Sequence, residues 1–310
     1  MEQMKGRLFL LGAFTLAGTS VIVARFVSGH LGTFTITSVS LFFAVLFLLP
    51  ICKNKLVVNI KSMSMKDWHL TLLQAIFGIF LFRMFLLLGI SRTSSAEAGI
   101  LTGATPAITA LIARTLMKER ISKKGFVGIG CTISGIFIVQ GILAPGSNFE
   151  FAHFIGNLLI LCAAASESIF NTLSRVNSMK KVERAHTLDP LFQTTLVSTI
   201  AMLLCLLPAS FEHPVEALVA LNPGEWIALM WYGIFVTALA FIFWYSGIKR
   251  SSMYTASAFS GMMPLTSLIL SVLILKEKTV LEQWSGALLV IIGMVLVGQS
   301  QAGNKRNTQQ

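Results

Sequence analysis

Ten stretches of predominantly apolar residues constrain this chain more than any other feature. They lie at about 8–27, 33–51, 68–90, 94–116, 125–143, 153–174, 189–208, 225–247, 252–274 and 281–299. Roughly 20 apolar residues are what an α-helix needs to cross hydrocarbon, and the loops left between these stretches are too short for a soluble domain. Only 12% of the 310 residues are charged and 55% are apolar, whereas soluble domains carry about 25% charge. The chain therefore reads as an all-α integral membrane protein with ten transmembrane helices. A soluble enzyme, a disordered chain and a single-span receptor are excluded. The first stretch lacks a small-residue cleavage pattern and reads as an uncleaved helix. Cys52, Cys131, Cys162 and Cys205 fall at or inside apolar stretches with no CxxC pair. They read as small buried hydrophobes, with no disulfide or zinc framework.

A net charge of +11 in a soluble protein would suggest a nucleic-acid partner. Here it sorts by loop. With the N-terminus inside, the inner segments carry eighteen Lys and Arg, from Lys5 and Arg7 to Lys305 and Arg306, and the outer segments carry three, Arg92, Lys276 and Lys278. Positive charge gathers on the cytoplasmic side of membrane proteins. The expectation is a multi-pass protein of the cell (inner or plasma) membrane with both termini cytoplasmic. Its partners are the bilayer and a small-molecule substrate, not nucleic acid, and the chain is a monomer or homodimer.

The two halves resemble each other. Residues 89–141 align without a gap on 247–299 at an offset of 158, pairing Arg92 with Arg250, Pro106 with Pro264, Lys118 with Lys276, Glu119 with Glu277, Gly128 with Gly286 and Gly135 with Gly293. Trp68 and Trp226 match at the same offset, and the first helix pairs with the sixth at an offset of 150 through Gly6/Gly156 and Arg25/Arg175. Shared apolar composition generates Gly and Val matches; it does not readily place a Pro, a Lys-Glu pair and a Trp in register. Each repeat, 1–147 and 148–310, holds five spans. Five is odd, so the second enters the membrane inverted, an arrangement that lets two halves rock about a midplane site.

At this point the chain resembles the EamA branch of the drug/metabolite transporter superfamily. The resemblance rests on Ala98-Gly99-Ile100-Leu101-Thr102-Gly103-Ala104-Thr105-Pro106 followed by Lys118-Glu119-Arg120. Its echo is Ala256, Ser260-Gly261-Met262-Met263-Pro264 and Lys276-Glu277-Lys278, and the run Trp244-Tyr245-Ser246-Gly247-Ile248-Lys249-Arg250 adds to it. It covers nearly the whole chain and implies a carrier of small metabolites. Many relatives place an Arg in the second span; this chain has Ser38-Val39-Ser40 there, so no role passes to that position.

Proline inside a membrane helix frees a carbonyl one turn earlier, which is tolerated where backbone lines a cavity or packs on protein. Pro106 and Pro264 each follow a glycine, Gly103 and Gly261, by three residues. Thr102 and Thr105 share one face of the fourth span, and Ser260 and Ser267 the matching face of the ninth. These four residues are candidate substrate contacts, and close helix packing is the competing account of such small-residue faces. Charges inside the bilayer need a reason. Arg83, about 22 Å beyond Trp68 by helix rise, and Glu97, at similar depth, are substrate-binding candidates that could pair with each other. Glu167, within the inner half of the sixth span, is the proton-coupling candidate because burial without a cation disfavours a charged carboxylate. Pairing with Arg114 is the alternative for it. No HExxH, GxSxG, Walker or Cys/His pattern is present, so no catalytic residue, metal or cofactor is expected. The reading is a secondary transporter exporting small organic metabolites such as amino acids. Organic-cation or drug efflux, and more remotely an intramembrane enzyme or scaffold, stay open.

Overall fold

The computed structural model describes residues 2–61, 63–116, 121–139, 151–182, 189–250 and 259–307. Among these residues all regular structure is helical. The helices are α1 (Glu2–Val27), α2 (Thr33–Lys61), α3 (Met65–Ala75), α4 (Phe82–Ile90), α5 (Ser95–Thr102), α6 (Thr105–Leu116), α7 (Lys123–Val139), α8 (Phe151–Val182), α9 (Pro190–Ser210), α10 (Pro214–Val219), α11 (Pro223–Trp231), α12 (Ala240–Arg250), α13 (Met262–Leu273) and α14 (Leu281–Asn307). π-Helical turns join α3 to α4 over Ile76–Leu81 and α11 to α12 over Tyr232–Leu239.

Seven helical runs are long and apolar enough to cross a membrane: Met4–Val27, Thr33–Lys53, Met65–Ile90, His153–Ser174, Leu191–Ser210, Pro223–Gly247 and Leu281–Gln299. Their apolar residues face both ways. On α2, Leu41, Ala44 and Leu48 are buried while Phe42, Leu46 and Leu49 are exposed, as expected of a helix that meets protein on one side and lipid on the other. The other three expected spans appear differently. The fourth is broken into α5 and α6, the fifth is the 17-residue α7, and the ninth is described only from Phe259 onward. Ala256 and the Lys118-Glu119-Arg120 run lie outside the described residues.

Local chemistry sets several helix starts. Ser64 Oγ accepts from Asp67 N at 3.3 Å while Asp67 Oδ2 accepts from Ser64 N at 3.0 Å. Asn222 and Glu225 make the same reciprocal pair, at 3.0 and 2.9 Å. Each box satisfies helix-end donors that have no partner within the helix. The boxes lie 158 residues apart (222 − 64), and so do the last residues of the two π turns, Leu81 and Leu239 (239 − 81).

Packing recurs at the same spacing. Helices α7 and α14 run antiparallel with backbones in close approach. A Cβ on Gly128 would sit 2.8 Å from the Gly293 carbonyl oxygen, and one on Gly135 would sit 2.7 Å from that of Gly286. Without Cβ atoms, helix backbones gain dispersion contact that lipid cannot supply. Likewise Gly89 packs on Ile160 and Gly247 packs on Leu10. A larger core gathers Val21 and Ala24 of α1, Leu86 and Ile90 of α4, Ile160 and Ala163 of α8 and Leu229 of α11. This core fixes α1, α4, α8 and α11 around the polar groups described next.

Candidate functional site

The break between α5 and α6 is a two-residue turn, Gly103-Ala104, with Gly103 at φ −63° and ψ −7°. Gly261, at φ −60° and ψ −14°, precedes α13 in the same way. Pro106 has no N–H to give the Thr102 carbonyl. The Thr105 hydroxyl reaches that carbonyl instead, at 2.9 Å. The same hydroxyl lies 2.9 Å from Glu167 Oε2 on α8. Ser168 Oγ, on the next residue, lies 2.9 Å from the Thr105 carbonyl and 2.7 Å from that of Ala164. Glu167 therefore meets the helix break and not Arg114, whose guanidinium lies 5.2 Å from the centre of the Phe126 ring.

The second break is built from other groups. Ser267 is fully buried and donates to the Gly18 carbonyl at 2.7 Å. Its Cβ fills the space beside Gly99, so it joins α13 to α1 and α5. Ser260 and Pro264 are buried, and Thr102 donates to Gly99 O at 2.7 Å.

Arg83 is 4% exposed. It donates through Nη1 to Ser40 Oγ at 2.7 Å and through Nη2 to Thr237 Oγ1, and its guanidinium carbon lies 4.0 Å from the centre of the Tyr232 ring. Thr237 in turn donates to the Tyr232 carbonyl, five residues back, at 2.8 Å. That spacing belongs to the π turn. Among the described residues no carboxylate pairs with Arg83. Among the described residues the buried Tyr232 hydroxyl also has no hydrogen-bond partner.

Glu97 is held elsewhere. Its carboxylate accepts from Gln283 Nε2 and Asn157 Nδ2, both at 3.1 Å, and faces His153 Nε2 at 3.1 Å and Thr93 Oγ1 at 3.2 Å, a hydroxyl that also lies 2.6 Å from Asn157 Oδ1. Arg83 and Glu97 are thus not paired with each other. Three further carboxylates join the two halves at the same end of the molecule. Glu277 accepts from the N–H groups of Ser95 and Ala96 at the start of α5, at 3.1 and 3.0 Å. Glu212 accepts from Phe34 and Thr35 at the start of α2, at 3.1 and 2.8 Å. Glu225 pairs with His30. The backbone beside two of them is strained: His213 and Lys276 have φ of 51° and 55°, a region that costs a non-glycine residue roughly 1–3 kcal/mol.

Glu167 and Arg83 sit at different levels. Ser166, adjacent to Glu167, donates to Phe77 O at 2.8 Å. Phe77 lies six residues before Arg83, or about 9 Å along the helix. Sequence reasoning missed Ser40, Tyr232 and Thr237 as partners of Arg83, because a five-residue spacing across a helix has no counterpart in 3.6-residue periodicity. It also missed Asn157 and Gln283 around Glu97, which look like ordinary polar residues in apolar runs. Among the described residues no cluster of His, Cys, Asp and Glu could hold a metal ion.

A protein built from apolar helices, with paired breaks and a few charges inside them, belongs to the multi-pass membrane proteins. The profile of the EamA-like transporter family matches residues 4–140 and 154–299, and the chain belongs to that family. It is 29% identical to the "Uncharacterized transporter YetK" of Bacillus subtilis (strain 168) over 94% of this chain and 86% of that one. It is 24% identical to YyaM of the same organism, over 100% and 99%. It is 25% identical to a WAT1-related chloroplastic protein of Arabidopsis thaliana, over 93% and 68%. A crystal structure at 20% identity superposes with a TM-score of 0.62, covering 97% of this chain and 98% of the other; the likeness is one of fold.

Proposed function

We propose that this membrane protein is a secondary active transporter that exports small carboxylate-bearing metabolites, amino acids among them, by alternating access, and that it is not an enzyme. In this reading ten helices form two inverted five-helix repeats, 1–147 and 148–310, in the cell membrane with both termini cytoplasmic. The paired breaks, the capping boxes, the π turns and the Gly128–Gly293 and Gly135–Gly286 contacts, all repeating at one offset, support the inverted arrangement. The eighteen-to-three charge asymmetry supports the orientation.

The observation that carries the substrate class is Arg83, a buried guanidinium whose bonds, among the described residues, go to hydroxyls and no carboxylate. A buried charge without a counter-ion is costly, and a substrate carboxylate would relieve that cost through the fork geometry of the guanidinium. The organic-cation alternative finds less support, because Glu97 already accepts from several donors. Glu167 is the proposed carrier of the coupling proton. Proton and substrate then favour different states of one alternating molecule.

Metabolite profiling of medium from overexpressing cells, followed by counterflow of the enriched compounds in proteoliposomes, tests the reading. Carboxylates enriched outside, with transport lowered by Arg83→Ala, are expected. Enrichment confined to organic cations overturns it. Reporters fused at position 310 and in the 210–223 loop are expected on opposite sides; labelling on one side breaks the ten-span arrangement.

A further inference from the structure

We propose that Thr105 is a positioning residue that ties the protonation of Glu167 to the shape of the α5–α6 break; this rests on the reading of Glu167 as the proton carrier. The inference comes from counting hydrogens. Thr105 Oγ1 lies 2.9 Å from the Thr102 carbonyl and 2.9 Å from Glu167 Oε2. A threonine hydroxyl has one hydrogen to donate and two lone pairs to accept with. A carbonyl only accepts, and so does an ionised carboxylate. One hydroxyl cannot satisfy both at once.

Protonation resolves the conflict. When Glu167 takes up a proton, its own O–H donates to Thr105 Oγ1, and the Thr105 hydrogen turns to the Thr102 carbonyl. Both contacts are then hydrogen bonds. When Glu167 loses the proton, the Thr105 hydrogen turns to the carboxylate, and the Thr102 carbonyl loses the donor that Pro106 cannot replace. A buried carbonyl without a donor favours a different backbone geometry, and Gly103 is where the backbone bends. The proton therefore selects between two forms of the break. Ser168 Oγ lies against the far side of this unit, 2.9 Å from the Thr105 carbonyl and 2.7 Å from that of Ala164.

The surrounding charges leave this contact to the hydroxyl. The elements packed on α8 bring Arg83 from α4, bound to Ser40 and Thr237; Glu97 from α5, bound to Thr93, Asn157 and Gln283; Arg114 from α6, over Phe126; and Lys66, Asp67 and His69 near the start of α3. Among the described residues none of these forms an ion pair with Glu167. The second break has no such unit: Met263 stands where Thr105 stands in the first, and Ala17 where Glu167 does.

The test needs no substrate. Full-length protein in liposomes, with its four cysteines replaced by alanine, carries spin labels at Ser91→Cys and Thr115→Cys, both exposed positions flanking the two segments. Infrared difference spectra between acid and alkaline pH report the protonated carboxyl of Glu167, assigned by its loss in Glu167→Gln. Pulsed electron resonance reports the label separation over the same pH range. In the otherwise unmutated chain the band and the separation are expected to change with one midpoint. Thr105→Val, which keeps the branched shape, is expected to retain a titrating band and lose the pH response of the separation. Thr105→Ser is expected to restore it, which also shows that the response depends on the hydroxyl and not on folding. A pH-responsive separation in Thr105→Val overturns the proposal, as does a separation that stays constant in the unmutated chain while the band titrates. Absence of any Glu167-dependent band overturns the reading of Glu167 as proton carrier, a separate failure.

Discussion

Glu97 and Glu167 are carboxylates in apolar surroundings with opposite treatment. Glu97 faces the side chains of Thr93, Asn157, His153 and Gln283, drawn from three segments of the chain. Among the described residues Glu167 has a single side-chain partner, the hydroxyl of Thr105. A carboxylate surrounded by donors cross-links the groups that hold it. A carboxylate with one ambivalent partner can change its proton without dismantling a network. The comparison teaches that a charge inside an apolar helix of this protein is read from the donors around it more than from its depth. Arg83 adds a third case, a cation with neutral acceptors and an aromatic face.

The comparison breaks most visibly at Glu167. Glu167→Gln is expected to abolish accumulation driven by a pH gradient in proteoliposomes while leaving substrate exchange measurable. Gradient-driven accumulation equal to the unmutated protein would remove Glu167 from the coupling step. Next comes Arg83→Ala, expected to raise the KM for a carboxylate substrate by roughly 30-fold or more, the equivalent of about 2 kcal/mol for removing one partner of a buried charged contact. Insertion into the membrane should be unaffected, and an unchanged KM would make Arg83 structural. Glu97→Gln should act differently. Its amide turns donors toward donors, so it is expected to lower stability by about 1–3 kcal/mol, read as a lower unfolding temperature in detergent, with pH-driven transport retained by the folded fraction. Loss of coupling without loss of stability would erase the distinction between the two carboxylates. Smallest is Glu277→Gln, which weakens the anionic contact at the start of α5 by about 0.3–1 kcal/mol. It is expected to increase accessibility of Ser95→Cys to a membrane-impermeant thiol reagent added from the outside, with little change in unfolding temperature.

Much of the fold was legible. The seven long apolar helices coincide with seven of the ten expected spans, and the interruption at Gly103–Pro106 is where glycine and proline placed it. Boundaries extended further than apolarity alone indicated: α2 runs to Lys61 and α8 to Val182. Helical hydrogen bonding does not stop where the hydrocarbon does. The candidate site was only partly legible. Arg83, Glu97 and Glu167 stood out because charge inside an apolar run is costly, but their partners did not. Ser40 and Thr237 are 43 and 154 residues from Arg83. Gln283 is 186 residues from Glu97. Nothing local in an apolar run says which neighbour a polar side chain will meet.

By itself the sequence determined that this chain lives in a membrane, where its helices are interrupted, that its halves share a pattern, and which charges demand explanation. Those follow from short-range chemistry: hydrophobic length, the missing N–H of proline, the missing Cβ of glycine and the cost of burying charge. The tertiary structure decided what each charge meets. It placed Glu97 among donors from distant segments, set Arg83 over Tyr232 beside a π turn, and brought Glu167 against the Thr105 hydroxyl at the break. These outcomes depend on how helices pack side by side. Where lipid is as apolar as the side chains, packing is governed by close approach at small residues and by the polar groups that find each other.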